Sequence, residues 1–148
     1  MIKNIKLKFG RADGLQQESI EAMPITVFVG PNNSGKSKIL SEIQQFCANG
    51  SKNVNNVIID NIELEGMPED SITEKIENVK LKPNPGEAQY PNHIFVGKRG
   101  QRLHVQEQQF RNALVNPNDQ PKYTCSWYLS YNTLILNGNN RINLIQQQ

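Results

Sequence analysis

The sequence predicts an α/β protein in which a strand, a glycine-rich loop and a helix follow one another directly, joined to a subdomain of mostly antiparallel strands. Three observations carry this expectation. Ile25-Thr26-Val27-Phe28-Val29 is an apolar, β-branched run with a single polar interruption, the pattern of a strand covered on both faces, as in a parallel sheet. Gly30-Pro31-Asn32-Asn33-Ser34-Gly35-Lys36-Ser37 follows with no intervening residue. Ile39, Leu40, Ile43, Phe46 and Cys47 then fall on one stripe at helical spacing, and Asn49-Gly50 supplies the stop.

The remaining elements are weaker and are taken in chain order. Ile5, Leu7 and Phe9 alternate with Lys6 and Lys8, which predicts a half-buried strand over Ile2 to Phe9 with lysines toward water. Gly10 to Gly14 reads as a turn. Val57 to Leu64 reads as a strand. Ser71 with Glu74 resembles a capping box, and Ile72, Ile76 and Val79 share a helical stripe that Pro83 and Pro85 close. Pro83 to Pro91 is a loop. Ile94-Phe95-Val96 and Leu103-His104-Val105 flank Lys98-Arg99-Gly100 as a hairpin. Gln106 to Val115 predicts a short helix around Phe110 and Leu114, stopped at Asn116-Pro117. Tyr123 to Leu136 is read as a strand, and Ile142 to Ile145 as its return after the hairpin signal Asn137-Gly138.

The totals bound the class. At 148 residues and 36% hydrophobic content the chain fits one domain with a single core. A net charge of +2 is too mild to indicate nucleic acid by itself. No apolar run approaches the roughly 20 residues that span a bilayer. The N-terminus opens on a strand pattern and carries no signal-peptide core, so a soluble, cytoplasmic protein with no membrane partner is expected. Cys47 and Cys125 lack metal-ligand spacing and read as two buried thiols in a reducing compartment.

The chemistry lies in the loop. Phosphate binding needs a backbone that approaches the anion closely and turns several N–H groups toward it. Gly30 and Gly35 supply that freedom. The N–H groups around Asn33 to Ser37 would line an anion-binding nest at the helix N-terminus, where the macrodipole favours negative charge. Lys36 is the expected catalytic cation on the β- and γ-phosphates, and the Ser37 hydroxyl the expected ligand of Mg²⁺. Pro31, Asn32, Ser34 and Lys38 complete the expected cofactor-binding set. The four fixed positions arise by accident in about one of a few hundred chains of this length. The flanking strand and helix lower those odds, so ATP with Mg²⁺ is the expected ligand.

The order of a lysine-rich first strand (Ile2 to Phe9), a second strand (Ile25 to Val29) and then Gly30 to Ser37 resembles the start of ABC-type ATPases of the SMC, RecF and OLD-nuclease kind. The likeness is close over roughly the first 47 residues. It implies a P-loop NTPase core with an antiparallel β subdomain, the whole of residues 1–148 forming one N-terminal lobe of a longer ATPase. It also implies a complete head that dimerises head to head around two ATP molecules and acts on DNA or on an effector protein. Departures are plain. No Leu-Ser-Gly-Gly signature loop and no apolar strand ending in Asp-Glu are present, so the chain alone is expected to bind ATP and to hydrolyse it poorly. The basic residue that relatives carry after the first strand is shifted here, to Arg11.

Two rivals stand beside this reading. Val57-Ile58-Ile59-Asp60 resembles an apolar strand with a terminal magnesium carboxylate, which would suit a compact kinase or NTPase using Asp60. A non-catalytic module that uses nucleotide as a structural ligand is the other. A GTPase is disfavoured, since no Asn-Lys-x-Asp motif is present. Lys98, Arg99 and Arg102 read as a solvated hairpin tip. His93 and His104 read as structural, and Trp127, Tyr128 and Tyr131 as core or cross-strand aromatics rather than base platforms.

Overall fold

The computed structural model describes residues 1–134 apart from residues 11, 13 and 33. The Asn137-Gly138 hairpin, the strand expected over Ile142 to Ile145, the end of the strand expected to reach Leu136, Arg11 and Asn33 therefore lie outside the described residues. Over the described residues the fold is mixed α/β with two three-stranded antiparallel sheets.

The first sheet has the order β2-β1-β3, from β1 (Ile2–Leu7), β2 (Ser19–Glu21) and β3 (Ile59–Leu64). β1 forms as its alternation predicts, with Ile5 and Leu7 buried. It pairs antiparallel with β3, Ile5 opposite Ile62, and with β2, Ile5 opposite Ile20. The last residue of β3 is completed by a side chain: Leu64 N–H donates to Asn118 Oδ1 at 2.9 Å, and Asn118 Nδ2 donates to the Leu64 carbonyl at 2.6 Å. One amide thus stands in for a strand neighbour.

α1 (Lys36–Asn49) begins and ends as the sequence predicts, with Gly35 and Gly50 both left-handed at its caps. Ile39, Phe46 and Cys47 are buried, whereas Leu40 is 42% exposed and lies off the buried stripe. α2 (Glu69–Glu77) starts before the expected capping box. Ser71 already lies inside the first turn, where its hydroxyl donates to the Pro68 carbonyl.

The second sheet has the order β4-β5-β6, from β4 (Lys80–Leu81), β5 (His93–Val96) and β6 (Leu103–Gln106). The expected hairpin is its centre, with Ile94 opposite Val105. α3 (Glu107–Val115) follows at once, its N-cap Gln106 accepting from Gln109 N–H at 2.9 Å.

The strand expected from Tyr123 is instead helical. α4 (Pro121–Thr124), a π-helical turn (Cys125–Leu129) and α5 (Ser130–Asn132) run on without a break. Cys125, Tyr128 and Leu129 stand at i, i+3 and i+4, and all three are buried. That helical period decides the element over the strand propensity of its aromatic residues. One continuous core joins both sheets to α1, α3 and this last helix.

The run Ile25 to Val29 is the largest departure. It forms no strand, and its backbone pairs with no other strand among the described residues. Ile25, Val27 and Val29 are 84%, 72% and 86% exposed, while Phe28 packs against the core. Of this run only Phe28 is covered among the described residues, where the sequence leads one to expect covering on both faces.

Candidate functional site

The glycine-rich loop sits at the open N-terminus of α1. A Cβ on Gly30 would meet Ser34 Oγ at 2.7 Å, so a side chain there would force Ser34 to shift. Ser34 N–H reaches the Pro31 carbonyl at 3.3 Å, and Ile39 N–H makes the first helical bond to the Gly35 carbonyl at 2.9 Å. Gly35 itself has φ +86, which glycine adopts at little cost.

Lys36 folds back over this turn. Its ammonium donates to the Gly30 carbonyl at 2.6 Å, to the Pro31 carbonyl, and to Ser34 Oγ at 3.2 Å. The concavity in front of the helix measures about 580 Å³ and is lined by Asn32, Ser34, Gly35, Lys36, Ser37 and Lys38. Of the expected binding residues the structure thus gathers these six around one space, with Gly30 and Pro31 holding the lysine. The first turn of α1 carries no acidic residue and no side-chain cap. Its unpaired N–H groups and the positive end of its dipole face the concavity without an internal counter-charge. The Ser37 side chain is exposed, with no hydrogen-bond partner among the described residues. This is a set of donors and cations, which suits a polyanion.

A residue that sequence reasoning passed over anchors the helix from behind. Glu42 is completely buried, and its carboxylate accepts from Val57 N–H at 2.8 Å, Ile58 N–H at 3.1 Å and Ile59 N–H at 2.8 Å. Lys38 Nζ lies 3.6 Å from the same carboxylate. Burial pushes the Glu42 carboxyl up, but the three backbone donors and Lys38 outweigh it and hold the group below its ordinary value. The available signal was a glutamate three residues past Ile39, inside the apolar stripe.

The other sequence candidates are placed elsewhere. Asp60 lies in β3 and is ion-paired with Lys52, whose hydrogen bond holds the carboxyl below its usual range. Among the described residues no group of three His, Cys, Asp or Glu is arranged to hold a metal ion. Arg102 is engaged through Nε and Nη2 with Glu87 and lies 4.4 Å over the Phe95 ring, and Lys98 donates to Asn132 at 2.8 Å. His104 stacks on Phe95, and His93 Nδ1 lies 3.0 Å from the Pro91 carbonyl, which can only accept from it. Trp127 stacks on Tyr123, while Tyr128 and Tyr131 are core residues. Cys47 and Cys125 are free and buried, as expected, and burial pushes the Cys125 thiol up to about 12. No helix among the described residues is long and apolar enough to cross a membrane.

The family model for the AAA ATPase domain matches residues 1–88, a span that opens with β1, contains the Gly30–Ser37 loop and ends past β4. The match agrees with the resemblance drawn from the first strand and the loop. No curated protein and no solved structure matches the chain.

Proposed function

The chain belongs to the AAA ATPase domain family, and we propose that it binds ATP with Mg²⁺ through Gly30 to Ser37 as the N-terminal lobe of an ATPase head of the SMC, RecF and OLD-nuclease kind. The observation that carries this is the Lys36 ammonium held on the Gly30 and Pro31 carbonyls beside an uncompensated helix N-terminus. Phosphate oxygens are better acceptors for that ammonium than two carbonyls, because the contact becomes a charge-paired hydrogen bond. The N–H groups from Asn33 to Ser37 and the Lys38 side chain would hold the remaining phosphate charge.

The donor set fits the expected metal as well. Mg²⁺ takes few protein ligands alongside phosphate oxygens and water, and the free Ser37 hydroxyl supplies one. Bound there, the ion would neutralise charge developing on the phosphates. Asp60 fits a metal role less well, since Lys52 already neutralises it.

The bare segment from Ile25 to Val29 supports the reading of an incomplete head. Its three outward apolar side chains, and a backbone that pairs with no strand among the described residues, suit a strand inside a larger sheet. On this reading the signature loop and catalytic carboxylates come from the rest of the head, which dimerises around two ATP molecules and moves DNA or an effector.

Calorimetry with Mg²⁺-ATP, with phosphate release followed on the same sample, tests the proposal. Binding that Lys36→Ala weakens by about 10- to 100-fold, without turnover, is the expected result. Absence of binding overturns it, and brisk turnover would shift the reading to a self-contained enzyme.

A further inference from the structure

We propose that Glu42 is a positioning residue for the nucleotide loop, locking α1 to the segment 57–59 so that Gly35 and Lys36 are held ready for phosphate. The proposal rests on the loop's function as read above, and it concerns a residue that never touches the ligand.

The Glu42 carboxylate lies two turns into α1 and gathers three consecutive N–H groups, those of Val57, Ile58 and Ile59. These donors lie at and just before the start of β3. The ladder with β1 begins at Ile59, and before it Lys8 N–H donates to the Ile58 carbonyl at 2.9 Å, while the Val57 and Ile58 N–H groups turn to the carboxylate. The carboxylate therefore does for this segment what a neighbouring strand would do, from within a helix. Next, the fixed segment aims Ile58 at the loop: a Cβ on Gly35 would stand only 3.1 Å from Ile58 Cδ1. Ile58 thus packs against the backbone at the left-handed residue that starts α1. Finally, Lys38 is drawn to Glu42 at 3.6 Å, which fixes a side chain lining the concavity.

The arrangement is more than packing requires. A leucine at position 42 would continue the apolar stripe of Ile39, Ile43 and Phe46, but it would leave three inward N–H groups without an acceptor. A fully buried carboxylate is retained only where its hydrogen bonds are all made. Here they join the helix that carries the loop to the strand behind it. Lys8 adds to the same junction by donating to the Asn56 carbonyl.

Two variants and one control test this on the full chain. Glu42→Gln keeps the shape but loses charge and one acceptor, and Ile58→Ala removes the contact with Gly35 while leaving the carboxylate in place. Leu114→Ala, in α3 and away from the loop, is the stability control. The first readout needs no nucleotide: the amide NMR signals of Gly35 and Lys36. Both variants are expected to move these signals, and the control is not. The second readout is Mg²⁺-ATP affinity, expected to weaken about tenfold in Glu42→Gln, the size of one lost charge-assisted hydrogen bond, and to weaken in Ile58→Ala as well. Unmoved Gly35 and Lys36 signals in the folded variants overturn the proposal, as does unchanged affinity beside a wild type that binds. A wild type that fails to bind ATP would instead overturn the proposed function, and the amide signals would still decide the role of Glu42. If Glu42→Gln does not fold, Glu42→Asp, which keeps the charge but draws the carboxylate back from the three N–H groups, is read by the same two measurements.

Discussion

Lys36 reaches back six residues along the chain and donates to the Gly30 carbonyl at 2.6 Å, closing the loop on its own backbone. The ammonium is thereby stored within the turn it would leave on meeting a phosphate. Removing it costs a charged donor to the ligand, an interaction of about 1.5–3 kcal/mol. Lys36→Ala is expected to weaken Mg²⁺-ATP binding by about 10- to 100-fold while leaving the urea midpoint nearly unchanged, since Lys36 contributes little to the core. Calorimetry beside a denaturation curve separates the two effects. A large loss of stability would show that the lysine serves the fold instead.

The Glu42 carboxylate gives stability a pH dependence of known sign. Its folded value lies below the ordinary 4.5, so the unfolded chain takes up the proton first. The contribution is present above about pH 4.5 and is lost as pH falls through the depressed folded value. Asp60 beside Lys52 and Glu87 beside Arg102 are depressed in the same direction. Urea midpoints should hold near neutrality and fall on acidification from about pH 4.5 toward 3. In Glu42→Gln that fall should be shallower. Glu42→Ala, which leaves three N–H groups unpaired, should cost about 3–5 kcal/mol at pH 7.

How much of this was legible in the chain depends on where each interaction begins. The Gly30–Ser37 loop, α1 with its Gly50 stop and the β5–β6 hairpin are set by neighbours in sequence, and all three stand where the residues place them. Glu42 is different: its partners lie fifteen to seventeen residues away, and one glutamate on a stripe does not announce them. The run Ile25 to Val29 has strand composition, but a strand exists only when another backbone pairs with it, and among the described residues none does. The helix over Pro121 to Asn132 was hidden by the aromatic content of Trp127, Tyr128 and Tyr131, although Cys125, Tyr128 and Leu129 keep helical spacing. β2 is three residues long, too short for its alternation to register.

Gly50 ends α1 at φ +65, where its N–H donates to the Phe46 carbonyl at 2.7 Å. A Cβ added there would stand 2.4 Å from the Pro121 carbonyl oxygen, at the start of α4. Gly50→Ala therefore meets both an unfavourable backbone conformation and a collision with main chain that cannot rotate away. A loss of about 2–4 kcal/mol is expected in urea unfolding, because a left-handed alanine alone costs about 1–2. A change below 0.5 kcal/mol, about the size of an ordinary surface substitution, would show that α1 and α4 do not meet at this point.

Cys125 is buried, with its thiol raised to about 12, and Cys47 is raised in the same direction by burial. The reactive thiolate is therefore scarce at both positions. An aromatic disulfide reagent at pH 8 should label neither cysteine rapidly in the folded protein and both at once in strong denaturant. Fast labelling of one thiol without denaturant would mean that α1 opens away from the π-helical turn. That outcome would locate the least stable contact of the core, since these two elements meet there.

Val27 is 72% exposed in the middle of the unpaired run, between Ile25 and Val29. Replacing it with lysine removes apolar surface from water at no cost to the core, so Val27→Lys should change the stability of this chain by no more than about 0.5 kcal/mol. The same change should reduce self-association, because an unpaired apolar strand is a template for other strands and a lysine blunts it. Sedimentation at rising concentration measures this against the unsubstituted chain. If the run instead becomes an inner strand of a complete head, the charge would be buried there, and Val27→Lys should abolish assembly with the remaining half while sparing the fold of this one. A substantial loss of stability in this chain alone would mean that the run is already covered, and would remove the support it gives to the incomplete head.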